Sequence, residues 1–159
     1  MSEQFIKKNI RTPIYEYKET TWVYNNLPTF ENDTYALFDD KFPVTPGHVL
    51  FVPKNNNTEC VAETYGKAYQ YGLDLVEQGK AEGFNIGQNI GMPAGQTILW
   101  PHIHVIPRHK GDSAKIGGMR YAHPDADHFE YYSENDTYKN KIIFDGYPRS
   151  LTQAKNLEK

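Results

Sequence analysis

The chain is poor in cysteine, in long apolar runs and in surplus charge of either sign. Cys60 is its one cysteine, which excludes an internal disulfide and any zinc site built on cysteines. Its longest apolar runs, such as Val49-Leu50-Phe51-Val52, fall far short of the ~20 residues that cross a bilayer. The segment Met1-Ser2-Glu3-Gln4-Phe5-Ile6-Lys7-Lys8 has no apolar core, so no secretion signal is expected there. Lys and Arg number 17 against 20 Asp and Glu, a net charge of −3, which argues against a dedicated DNA or RNA binder. There is no internal repeat and no low-complexity tract. These absences predict a cytoplasmic, soluble protein with no nucleic acid or membrane partner.

A length of 159 residues fits one domain, read as a motif-bearing core over about 20–120 and an irregular extension over about 121–159. Thr34–Phe38, His48–Val52 and His102–Ile106 have strand composition and end at Asp39-Asp40, Pro53 and Pro107. Phe84–Ile90 alternates as a strand does, and Thr20–Tyr24 is a fifth strand candidate, one arm of a hairpin. Between Glu59 and Lys80 no proline interrupts Val61, Tyr65, Ala68, Tyr69, Gly72 and Val76, which recur at helical spacing. Asn57 or Thr58 can cap that helix, and Gly79 or Gly83 can end it. A short helix is predicted from Ser150 onward, and residues 108–141, with Gly117-Gly118-Met119-Arg120, read as a loop or flap. Strands on both sides of one long helix, with short turns, predict an α+β domain.

The chemistry concentrates around His102 and His104. Strand geometry puts both rings on one face, about 6.5–7 Å apart, with Ile103 and Val105 turned into the core. Pro93-Ala94-Gly95-Gln96-Thr97 precedes them with small residues that let backbone amides approach an anion. Arg108, His109, Lys110, Lys115 and Arg120 follow, against the acid Asp112. Such a local basic excess on a mildly acidic chain favours an anionic ligand, with phosphate the usual case. Spacing alone leaves three readings of the pair open: surface polar residues, metal ligands or a nucleophile with its support.

The run Gly95-Gln96-Thr97-Ile98-Leu99-Trp100-Pro101-His102-Ile103-His104-Val105-Ile106-Pro107-Arg108 resembles the signature of the histidine-triad (HIT) family of nucleotide hydrolases and transferases. Tyr35–Lys54 resembles the other half of that family's nucleotide pocket, and Asn85-Ile86-Gly87-Gln88-Asn89 its penultimate strand. The resemblance covers residues 30 to 120, and its dinucleoside-polyphosphate hydrolase branch is the nearest in pattern. It implies a HIT-like fold: a five-stranded antiparallel sheet, one long helix and a shorter C-terminal element.

It further implies that His102 is the nucleophile attacking an α-phosphate to form a nucleotidyl-histidine, with His104 and His48 supporting the site. Gln96 and Thr97 match phosphate-contacting positions, Asn89 a polar site residue, Asp40 the acid that binds ribose hydroxyls, and Phe38 an apolar wall for the base. Arg108, or Lys110, is placed to stabilise phosphate oxygens. No cofactor is required, with Mg²⁺ an optional companion of a polyphosphate substrate, and the family's habit implies a homodimer. The chain departs from the pattern at Trp100, which stands at the first triad position where the family has His. Its indole either stacks on a base or, the preferred reading, packs in the core. Asn56 likewise replaces a family His. Two alternatives remain: a nucleotide-binding protein that lost efficient catalysis through Trp100, and a metalloprotein using His102, His104 and His48.

Overall fold

The structure is a computed structural model and describes residues 12–25, 27–112 and 118–124. After a 3₁₀ turn at Tyr17–Glu19 comes a short helix α1 (Thr21–Asn25), then strands β1 (Phe30–Glu31), β2 (Tyr35–Asp39) and β3 (Val49–Pro53). The long helix α2 (Thr58–Glu77), β4 (Gly83–Gly87), a 3₁₀ turn at Met92–Ala94, β5 (Ile103–Arg108) and a 3₁₀ turn at Gly118–Ala122 follow. The strands form one five-stranded sheet in the order β1-β2-β3-β5-β4, and every pairing is antiparallel. The expected fold class is therefore observed. The C-terminal helix and most of the 121–159 extension lie outside the described residues.

Local chemistry accounts for α2. The Asn57 side chain accepts a hydrogen bond from the Cys60 amide at 2.8 Å, which satisfies a donor that the first turn leaves without a carbonyl. Gly79, at φ +73°, ends the helix in a left-handed conformation. There the Lys80 amide reaches back to the Leu75 carbonyl, the usual closing bond of such an end. The buried stripe runs Cys60, Thr64, Ala68, Gly72 and Val76, one residue per turn. Tyr69 is half exposed with its ring beside Phe84, and Val61 is partly buried. Gly72 is glycine for a steric reason, since a Cβ there would collide with the Phe84 ring on β4.

Two apolar layers sandwich the sheet, and the period-two alternation of each strand sorts residues between them. Tyr35, Val49, Phe51, Ile103 and Val105 meet Ala68 of α2 on one face. On the opposite face Ala36, Phe38, Leu50 and Val52 meet Trp22 and Trp100, with Ile14, Tyr17 and Ile98 packed against them. His48, His102 and His104 share the parity of that second set, so they project from the face away from α2.

Two strand expectations need correcting. Thr20–Tyr24 is not a hairpin arm: residues Thr21–Asn25 are helical. Trp22 is 5 % exposed while Val23 and Tyr24 are open. Thr20 and Trp22 are the buried residues of this segment, and their tertiary packing in a helical rather than extended backbone overrides its β-rich composition. The first strand is Phe30–Glu31 instead. The strand predicted over Phe84–Ile90 stops at Gly87, because Asn89 and Ile90 already belong to the exposed approach to the Gly91 turn, where φ is +88°.

Candidate active site

Sheet register assembles the site. Phe38 pairs with Leu50 and Asp39 with Val49, and the Asp40 amide continues that ladder to the His48 carbonyl at 3.0 Å. Asp40 and His48 are thus cross-strand partners at the mouth of the β2–β3 loop. His104 lies opposite Leu50, which makes His48 its diagonal neighbour, within reach of long side chains. The resulting cluster is tight. His48 Nε2 is 2.9 Å from His104 Nδ1 and 3.3 Å from Asp40 Oδ2, while His104 Nδ1 is 3.7 Å from the same carboxylate oxygen.

His102 sits beside this cluster, its ring centroid 5.3 Å from that of His104. Its Nδ1 is 2.8 Å from the Trp100 carbonyl oxygen. A carbonyl only accepts, so Nδ1 carries the proton and Nε2 keeps a bare lone pair. Trp22 lies 4.9 Å from the ring, centroid to centroid, and forms one wall of any approach to it. His102 is 7 % exposed.

Burial, the largest influence, lowers the pKa of His102 against the opposing pull of the Trp100 carbonyl and Asp40. Burial likewise lowers that of His48 against Asp40. His104 is pushed from 6.5 down to about 4, by burial first and then by the neighbouring His102 and His48 rings, with Asp40 opposing. All three rings are therefore held toward the neutral form at pH 7.

That depression has a stability signature. An unfolded His104 binds a proton near pH 6.5 and the folded one only near 4, so in that window the unfolded state holds more protons and stability falls with falling pH. The urea midpoint is expected to drop steadily between about pH 6.5 and about pH 4.5, and His104→Asn is expected to flatten part of that slope. Equal slopes in the two proteins would contradict the burial argument.

The structure places the other expected site residues as follows. Phe38 is fully buried, packed against Trp22, and offers no surface to a base. Trp100 is 2 % exposed and its indole N–H donates to the Pro53 carbonyl at 2.8 Å, so it is core, as the packing reading expected, and not a substrate contact. Arg108 lies six residues along the strand from His102, about 20 Å away at strand rise. Its guanidinium is engaged by Asp112 at 3.0 Å and by Asn85 at 2.7 Å. It is not positioned to meet a phosphate at His102, and Lys110 stands in the exposed turn beyond it.

Gln96 braces its own loop, accepting from the Gly91 amide at 2.8 Å and donating to the Ile98 carbonyl at 3.0 Å. Thr97 and Asn89 are exposed on that loop. Of the remaining histidines, His109 pairs with Glu82 at 3.0 Å on the surface, and His128 lies outside the described residues. Residues of the Gly118–Ala122 turn reach the sheet edge, where a Cβ on Gly87 would meet Met119. Sequence reasoning missed Trp22, whose segment looked like a strand, and Asp40's place among the histidines, which only the register reveals.

Asp40, His48 and His104 offer three ligand atoms within 4.8 Å of one another, a spacing suited to a divalent cation. The chemistry of the donors does not fit one. The Val44 amide donates to His48 Nδ1 at 3.2 Å, so the ring's proton sits on Nε2, the atom that would have to bind the metal. Coordination there requires an imidazolate or a broken Val44 bond.

The HIT domain matches residues 25–111. The chain belongs to the HIT family. Among HIT relatives, it is 32 % identical over 85 residues to an uncharacterized HIT-like protein of Saccharolobus solfataricus, covering 49 % of this chain and 61 % of that protein. It is also 32 % identical over 112 residues to the bis(5'-adenosyl)-triphosphatase of Saccharomyces cerevisiae, covering 65 % of this chain and 50 % of the yeast protein. The chain thus spans between half and two thirds of the length of these two relatives. Among solved HIT structures, a zinc-bound histidine triad family protein from Mycobacterium smegmatis superposes with a TM-score of 0.51 at 26 % identity, over 70 % of this chain and 86 % of that one. A HIT-like protein from Bartonella henselae gives 0.50 at 26 % identity, over 55 % and 72 % of the two chains. The HIT match begins after Trp22, so the indole beside His102 comes from outside the matched span.

Proposed function

We propose that this HIT protein is a nucleotidyl hydrolase or transferase acting at the α-phosphate of a dinucleoside polyphosphate or similar nucleotide conjugate. The observation that carries this reading is the bond from His102 Nδ1 to the Trp100 carbonyl. It leaves Nε2 unprotonated, and the lowered pKa keeps it so at neutral pH. A neutral imidazole with one bare nitrogen is a competent nucleophile toward phosphorus. In the first step Nε2 attacks the α-phosphorus, a P–N bond forms, and the P–O bond to the departing phosphate breaks with its electron pair. In the second, water attacks the same phosphorus, its proton passes to bulk water, and His102 leaves as the neutral imidazole with the P–N electron pair.

The retention of that orienting bond despite the indole answers the departure at Trp100. The carbonyl does the orienting, and carbonyls do not depend on side-chain identity. The yeast relative is a bis(5'-adenosyl)-triphosphatase, which supports this substrate class. In the Gly95-Gln96-Thr97 turn, where Gly95 adopts φ +93°, the Gly95 and Gln96 amides bond back to the Met92 and Gly91 carbonyls, so the Thr97 amide is the candidate for holding a phosphate oxygen. Asp40 retains the ribose-binding assignment, with one carboxylate oxygen already accepting from the Phe42 amide. A homodimer through the β4 edge, which pairs with β5 on one side only among the described strands, a cytoplasmic location and optional Mg²⁺ complete the proposal.

Incubation with bis(5'-adenosyl) triphosphate followed by rapid quench and peptide mass spectrometry is expected to find an adenylyl group on the His102 peptide and free AMP on longer incubation. Tight AMP binding by calorimetry with neither adduct nor turnover would establish the binding-only alternative instead.

A further inference from the structure

We infer that His48 is a positioning residue whose tautomer, locked by the Val44 backbone amide, makes His104 present its Nε2–H as a donor beside the nucleophile. The inference rests on the nucleotidyl-transfer reading for its purpose but on geometry alone for its content. Val44 N–H donates to His48 Nδ1, so that nitrogen is an acceptor and the single proton of a neutral imidazole must be on Nε2. His48 Nε2 then faces His104 Nδ1 at 2.9 Å. Asp40 Oδ2, 3.3 Å from the same Nε2, can share that proton but supplies none, so only one proton fits in the gap and His48 supplies it. His104 Nδ1 must accept, and the proton of its own neutral ring is left on Nε2.

His102, just before β5, and His104, within it, thereby take opposite tautomers. His102 has a bare Nε2, set by the Trp100 carbonyl, and His104 has a protonated Nε2, set by Val44 through His48. One ring is prepared to attack phosphorus and the other to donate to an oxygen bound to it. The surroundings of His104 favour a neutral donor: burial first, then His102 and His48, lower its pKa, and Asp40 opposes them.

The lock is built into the β2–β3 loop. Asp40 Oδ1 accepts from the Phe42 amide at 2.8 Å, and the His48 amide donates to the Thr45 carbonyl at 3.1 Å. Gly47 takes φ +86°, a conformation most residues avoid. Together these bonds turn the Val44 amide toward the ring.

The test is nitrogen-15 NMR of the full chain labelled at histidine, with parallel turnover of bis(5'-adenosyl) triphosphate. In the wild type at pH 7, His48 and His104 are expected as Nε2–H tautomers and His102 as Nδ1–H. His48→Phe, which keeps a ring without nitrogens, is expected to give His104 a mixture of tautomers and to raise its titration midpoint. It should also lower kcat about tenfold, the scale of one hydrogen bond, with KM changed less than about twofold. His48→Gln, whose amide restores an N–H donor, is expected to recover most of that loss. A wild-type His104 found as Nδ1–H, or a His104 tautomer unmoved in His48→Phe, overturns the inference. The expected tautomers in a wild type that turns nothing over would uphold it and reject the nucleotidyl-transfer reading.

Discussion

His102→Ala is expected to reduce turnover of bis(5'-adenosyl) triphosphate by about four orders of magnitude or more, the scale seen when a covalent nucleophile is removed. The reason is specific to the route. With no nitrogen at that position no P–N bond forms, and neighbouring neutral imidazoles already committed to each other cannot replace it. The adenylyl adduct should vanish with the activity. Some stability should be lost as well. The Trp100 carbonyl loses its partner, which costs about 1–3 kcal/mol for a buried acceptor, and the Trp22 ring loses a neighbour at 4.9 Å. A thermal melt separates the two effects, because a folded variant without turnover assigns the loss to chemistry. A variant retaining more than a few per cent of the rate would reject His102 as nucleophile.

The second large effect is on folding. Trp100→Ala is expected to destabilise the protein by about 3–5 kcal/mol, the range for truncating a buried large aromatic, with a fall in Tm of about 10 °C for a chain of this size. The indole is 2 % exposed, it packs among Phe38, Leu50 and Val52, and its N–H satisfies the Pro53 carbonyl. Truncation removes all three contributions at once. The backbone carbonyl that orients His102 belongs to the same residue, so the cavity opens next to the site. Thus kcat should fall in proportion to loosened orientation while substrate affinity changes less. Unchanged Tm with normal kcat would show that this indole is dispensable packing.

Much of this was legible in the residues because it was local. Tyr35–Asp39, Val49–Pro53 and Ile103–Arg108 announce themselves by β-branched and aromatic composition and by the prolines and aspartates near their ends. The His102–His104 pair follows from the two-residue period of a strand. What depended on distant partners was not legible. Nothing in Thr20–Tyr24 tells that Thr20 and one indole would be buried while Val23 and Tyr24 stay in water. Phe38 and Arg108 match a family pattern, yet the burial of one beneath Trp22 and the ion pair of the other with Asp112 are set by tertiary contacts. The Asp40–His48–His104 cluster requires the register of two strand pairings, and the tautomer lock requires a loop amide from a residue, Val44, whose side chain plays no part.

The indole of Trp22 also bears on where such a protein can be cut. The stretch recognisable by likeness to other HIT chains opens at residue 25, yet the second apolar layer is completed by Ile14, Tyr17 and Trp22, all upstream of it. A fragment trimmed to the recognisable stretch would keep its histidines and strip the roof from the sheet on which they stand. For this chain the evolutionary unit and the physical unit have different left-hand edges, and the catalytic ring lies under the difference.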